Sequence, residues 1–204
     1  MKKAKSALLL ALCAVLLVGA TVAGTVAYLT SKTEVVQNTF TVGHVAITLD
    51  EKDIDNDTNA ADNVTVDGVV RDRANKYHLI PGGTYEKDPT VHVQANSEDS
   101  WVFVKVENEL VNYEGANKIH DQILANDWTV LPGAEGVYYK SYTKTNSVVD
   151  MTVFTSVTIA GDNAQGADWS AVSGKTIKVT AYAIQKANGA GTFEVADAWA
   201  VVGN

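Results

Sequence analysis

Cysteine is almost missing from this chain: one residue in 204, Cys13, and it lies inside an apolar run near the start. Beyond that run there is no thiol, which excludes disulfide bonds and thiolate chemistry and leaves stability to the core and its hydrogen bonds. Basic residues are also in deficit, with 16 Lys and Arg against 24 Asp and Glu and a net charge of −8. Beyond residues 1–27 no run of Lys or Arg offers a local exception, so phosphate backbones and anionic lipid repel that part of the chain and nucleic acid is excluded as a partner. Catalytic signatures are missing too. None of His44, His78, His92 and His120 belongs to a His-Glu-x-x-His helix, and no spacing selects a metal site that would pair His44 or His92 with distant carboxylates. There is no Gly-x-Ser-x-Gly elbow, and Gly189-Ala190-Gly191 lacks phosphate-loop spacing, so it reads as a turn. The chain is expected not to be an enzyme.

What is present begins with residues 1–27. Lys2, Lys3 and Lys5 precede an apolar run from Ala7 to Val18, and Gly19, Ala20, Gly24, Thr25 and Ala27 follow. A positive start, a short apolar core and a small-residue exit are the parts of an export signal. From Ala7 to Leu29 only Thr21 and Thr25 are clearly polar, which leaves an uncleaved anchor as the alternative. The strongly apolar core, however, is a dozen residues, a length that suits a signal better than a span, and Gly19 and Gly24 weaken any helix beyond it. Thr25-Val26-Ala27 places small residues where a signal peptidase reads them, so cleavage is expected between Ala27 and Tyr28, leaving no stable membrane anchor. Leu10-Ala11-Leu12-Cys13 is not a lipid-attachment site, because Leu12 is bulky and the apolar core continues past the cysteine. Cleavage removes three lysines and no acid, which leaves the mature chain more acidic still.

Residues 28–39 read as a flexible leader, and residues 40–204 as a single β-sandwich domain. Val45, Ile47 and Leu49 alternate with Ala46, Thr48 and Asp50 as a first strand, with Gly43 placed for a bulge. Asp50–Asp67 reads as an acidic loop with a short strand over Val64–Val70. Leu79-Ile80-Pro81-Gly82-Gly83-Thr84 is a turn. Strands are expected over residues 90–94, 101–106, 137–142, 148–159 and 175–185. Trp101-Val102-Phe103-Val104, apolar on both faces, reads as a strand buried between layers. Helices are expected over 117–126, with Ile119, Ile123 and Leu124 inward, and over 193–202, with Phe193, Ala196 and Ala200 inward; a single turn is expected over 168–172. Many short strands with few helices indicate a mainly β fold, an antiparallel jelly roll or sandwich.

The run into Ala27-Tyr28-Leu29-Thr30, then Asn38-Thr39-Phe40-Thr41-Val42-Gly43 and the strand Val45–Leu49, resembles the exported proteins processed by the SipW-type signal peptidase. That family includes the TasA-like biofilm fibre proteins and the camelysins (CalY-like) of Gram-positive bacteria, and this chain is similar to a clostridial-type member. Leu79-Ile80-Pro81-Gly82-Gly83-Thr84-Tyr85-Glu86-Lys87-Asp88 looks like the family's turn that runs from a leucine through Pro-Gly to a lysine. The resemblance implies a jelly roll, a secreted protein of the cell wall surface or biofilm matrix, and contact with the signal peptidase during export. It also implies assembly with copies of itself or with other matrix and cell-surface proteins. In such fibres the segment behind the cleavage site adds a strand to the next subunit. Here the donor residues would be Tyr28, Thr30, Thr33, Val35, Val36 and Thr39, whose backbone groups could pair with an exposed sheet edge.

Two further readings stay open beside this one. Camelysin relatives imply a secreted metallopeptidase, and Trp101, Trp128, Trp169 and Trp199 could line a glycan-binding or adhesion face, although an apolar core role suits them better. No cofactor is expected apart from calcium. Asp53-Ile54-Asp55-Asn56-Asp57 alternates carboxylates as an EF-hand loop does, but Thr58 and Val64 replace its glycine and glutamate. Either an irregular calcium site uses Asp50, Asp53, Asp55 and Asp57, or these acids form a solvated loop.

Overall fold

Two antiparallel sheets face each other across the main core, and a short helix closes the outer side of the second. The structure is a computed structural model, and it describes residues 44–55, 63–66, 69–161, 169–187, 189 and 191–203. The described residues fall in one compact unit. The first sheet joins β1 (Ile47–Lys52), β2 (Val64–Val66), β3 (Val69–Asp72), β5 (Thr90–Val93) and β9 (Val149–Thr152) in the order β2-β3-β1-β5-β9. The second joins β6 (Ser100–Asn108), β7 (Thr129–Val130), β8 (Val137–Tyr142) and β11 (Ile177–Gln185) in the order β11-β6-β8-β7. β4 (Thr84–Glu86) pairs with β10 (Ser156–Thr158) in a small third sheet. Helices α1 (Ile119–Ala125) and α2 (Val195–Val202) and the 3-10 turns Val111–Tyr113 and Trp169–Val172 complete the fold. This is the mainly β sandwich with few helices that the strand pattern predicts. Among the described residues no helix is long and apolar enough to cross a membrane.

β6 shows how sequence dictates this arrangement. Side chains along a strand alternate between faces, so a strand covered on both sides must be apolar at both parities. Val102, Val104 and Val106 enter the core between the sheets, where they meet Val91 and Val93 of β5. Phe103 points the other way into a second cluster with Leu131, Val137 and Ala198. Val102, Phe103 and Val104 are all completely buried.

α2 covers that second face; Phe193, just before the helix, packs inward as expected, but the other two expected residues do not. Ala196 and Ala200 are exposed. Val195, Ala198, Trp199 and Val202 form the inward stripe at helical spacing. The small Ala198 lets the helix approach closely, and the Trp199 ring lies 5.3 Å from both Phe103 and Tyr182, edge-on to the latter.

α1 departs from expectation in a similar way. Ile119 and Ile123 are buried, whereas Leu124 faces solvent and the third inward position belongs to Gln122. That glutamine explains another difference, because residues 148–159 form two strands instead of one. Between β9 and β10 the consecutive residues Val153 and Phe154 are both fully buried, which breaks the alternation of an ordinary strand. The Gln122 Oε1 accepts the backbone N–H groups of Thr155 and Ser156, both at 3.1 Å, and its amide donates to Ser156 O at 2.9 Å. A side chain thus satisfies backbone groups that lose their ladder partners at the crossing.

The first strand also runs later than its alternation suggests. It spans Ile47–Lys52, so Asp50 and Glu51, expected to open the acidic loop, lie inside the sheet and are 4% and 5% exposed. Val64–Val70, expected as one short strand, is the hairpin β2–β3. The turn at Pro81 is as read: Gly82 has φ 77° and the Gly83 N–H donates to Ile80 O at 3.0 Å. Residues 1–43, with the leader and the Gly43 bulge, lie outside the described residues.

Candidate functional site

The end of β1 carries two charged groups on opposite faces of the first sheet, separated by strand parity alone. Ile47 and Leu49 pack against the main core, and Glu51 continues that face beyond the apolar part. Asp50 is on the other face. The register places Lys52 opposite Arg71, Asp50 opposite Thr90, and His92 opposite Asp150, so β3, β1, β5 and β9 present their charges side by side.

On the outer face, Asp50 accepts from Arg71 Nε and lies 3.0 Å from His92 Nε2 through the same carboxylate oxygen. The other ring nitrogen of His92 lies 2.6 Å from Asp150 Oδ1. Arg71 reaches on to Asp88, with Nη1 3.3 Å from Oδ2. Two carboxylates on the two nitrogens call for a donor at each, which is the imidazolium form. Burial pushes the His92 imidazole down, but its bonds to Asp150 and then Asp50 outweigh this and raise its pKa above the ordinary value. The result is a chain of alternating charge across four strands, with Asp50 and His92 buried and Asp150 at the solvent end.

On the inner face, Glu51 binds two residues at once. One carboxylate oxygen contacts Lys87 Nζ, and the other accepts from Asn75 Nδ2 at 3.0 Å. Side-chain exposure is 11% for Lys87 and 7% for Glu51, so this is a buried pair. The Tyr77 ring stands 5.6 Å from the Lys87 ammonium, and its hydroxyl donates to Glu86 O at 3.2 Å. Burial, followed by the charges of Glu51, Asp88, Asp55 and Asp72, pushes the Tyr77 phenol well above its ordinary range. The Asn75 orientation follows from its neighbours: Oδ1 accepts the Ile54 N–H at 2.9 Å, and Nδ2 faces Lys52 O at 2.9 Å as well as Glu51. These groups border a cavity of about 1020 Å³ whose walls include Leu49, Tyr77, Leu79, Leu110 and Val179.

No family model, curated protein or solved structure matches this chain. The geometry therefore carries the functional reading by itself.

Of the four aspartates considered for calcium, Asp57 lies outside the described residues and Asp50 is committed to Arg71 and His92. Asp53 and Asp55 gather with Asp72 instead, their ligand oxygens within 4.8 Å of one another. The backbone engages two of these acids: Asp72 Oδ1 accepts from Arg73 N and Ala74 N, and Asp55 Oδ2 from Lys76 N at 2.7 Å. The cleavage pair Ala27 and Tyr28, and the donor residues Thr30, Thr33, Val35, Val36 and Thr39, also lie outside the described residues.

The histidines do not converge. His44 and His78 are exposed, and His120 is exposed with its Nδ1 2.8 Å from the Tyr138 hydroxyl. Nor do the described tryptophans form a platform. Trp128 is 2% exposed and donates to Thr152 O, while Trp101 and the α2 residue Trp199 pack against the second cluster. Sequence does not single out Arg71, Asn75, Lys87 and Asp150, because strand register brings Arg71 and Asp150 to the site and the loops after β3 and β4 bring Asn75 and Lys87. Lys87 did carry one signal, as the lysine that ends the Pro81-Gly82 turn motif.

Proposed function

We propose that this protein is an exported structural subunit of the cell surface or biofilm matrix, which associates with copies of itself or with other surface proteins by strand addition. β11 is the observation that supports this most directly. It runs for nine residues and, among the described residues, is bonded on one side only, to β6. From Val179 to Gln185 it carries no charge and no proline, the two devices that most often stop an edge strand from pairing. The leader at residues 28–39 is a chemically suitable donor, since Thr30, Thr33, Val35, Val36 and Thr39 are β-branched. Removal of the signal would free that donor, coupling export to assembly.

The charge chain through His92 supports a structural role over a peptidase role. Both of its ring nitrogens are engaged by carboxylates, which leaves neither for a metal ion. Deleting residues 28–39 from the exported protein tests the proposal. The shortened protein should keep its circular dichroism spectrum and melting transition but form no filaments in negative-stain micrographs. Filaments of unchanged number and length would refute strand donation by the leader.

A further inference from the structure

We propose that Lys87 and Asn75 join in an intramolecular isopeptide bond, formed by the folded protein itself with Glu51 as proton carrier. Such a bond needs a lysine nucleophile, a carboxamide carbon, a group that moves one proton between them, and a donor for the developing oxyanion. The inner face of β1 supplies all four. Glu51 contacts Lys87 Nζ through one oxygen and Asn75 Nδ2 through the other, at 3.0 Å for the latter, so nucleophile and leaving group share one carboxylate. Asn75 Oδ1 already accepts the Ile54 backbone N–H at 2.9 Å, which polarises the carbonyl and can stabilise negative charge on it. Lys87 and Glu51 are nearly buried, and the Tyr77 ring covers the amine side. Holding both reactants on one carboxylate replaces an encounter in solution.

The step balances without an oxidant or a co-reactant. Glu51 takes a proton from the Lys87 ammonium, and the freed amine lone pair attacks Asn75 Cγ. The tetrahedral carbon carries its charge on Oδ1, toward the Ile54 N–H. Glu51 then passes its proton to Nδ2, the Cγ–Nδ2 bond breaks, and Nζ sheds its remaining extra proton with the departing ammonia as ammonium. Glu51 returns to the carboxylate, and the net change is one amide bond formed and one ammonium released. The product ties the loop before β4 to the segment after it, which gives a cysteine-poor chain a covalent staple. This proposal does not depend on strand addition.

Mass spectrometry of the folded, purified protein tests it. The intact mass should be lower than the sequence mass by one ammonia. Trypsin should yield a branched product in which peptide 74–76 is attached through Asn75 to peptide 77–105, since a modified Lys87 is not cut. Glu51→Gln and Lys87→Arg should each restore the full mass, and Asn75→Asp should lose one water in place of ammonia. A native protein at full mass, with 74–76 and 77–87 recovered as separate peptides, overturns the proposal. So does ammonia loss without the branched product.

Discussion

At the scale of single residues, His92 is the group whose charge state the structure ties most closely to stability. It faces Asp50 from β1 and Asp150 from β9, and Arg71 and Asp88 adjoin Asp50. Its pKa is raised by folding. The stabilisation is therefore complete below the unfolded value of about 6.5 and fades as pH rises through the higher folded value. His92→Gln should cost about 2 kcal/mol near pH 6, where charge-assisted hydrogen bonds are lost. Urea denaturation of both proteins should show that difference narrowing above the folded pKa. A difference that stays constant with pH would mean that packing, not charge, gives His92 its role.

At the scale of elements, the turn from β9 into β10 depends on one side chain of another element. Gln122 accepts from Thr155 N and Ser156 N. Gln122→Ala would leave both backbone donors without that partner; with Thr155 exposed and Ser156 half-buried, water offsets part of the loss and the cost should be about 1–2 kcal/mol. Asp121→Glu, on the solvent side of the same helix, should stay within about 0.5 kcal/mol of the parent protein. Thermal melts of the two variants separate a specific backbone clamp from a general loss of helix.

The same region shows what was legible beforehand. Strands β5, β6, β8 and β11 are legible because their β-rich, apolar runs are bounded by turn residues, and β6 is apolar on both faces. The division of residues 148–159 was not, since Val153 and Phe154 look like strand residues and only the position of α1 makes them cross between sheets. Likewise, Phe193, Ala196 and Ala200 have helical spacing, but the Trp199 ring outweighs two alanines in choosing the buried face of α2. Asp50 and Glu51 open an acidic, Asn-rich stretch that reads as a loop. Their partners Arg71 and Lys87 lie 21 and 36 residues away, a separation no local pattern reveals.

For the whole molecule, export and assembly make one linked expectation. Amino-terminal mapping of the exported protein should find Tyr28 as the first residue; a mature chain still beginning at Met1 would mean that the apolar run is retained and the leader is never freed. The amino-acid sequence by itself determined the class of fold and the thiol-free character of residues 28–204, and it is the whole basis for expecting export. These depend on composition and on short-range periodicity, which need no knowledge of distant neighbours. Tertiary structure alone decided which charges meet: it set Asp50 against Arg71 and His92 on one face of β1, and Glu51 between Lys87 and Asn75 on the other. The physical reason is strand parity combined with register and with the loops that follow β3 and β4. Neighbouring residues on a strand point to opposite faces, and pairing with distant strands then chooses the partners that offset the cost of burying each charge.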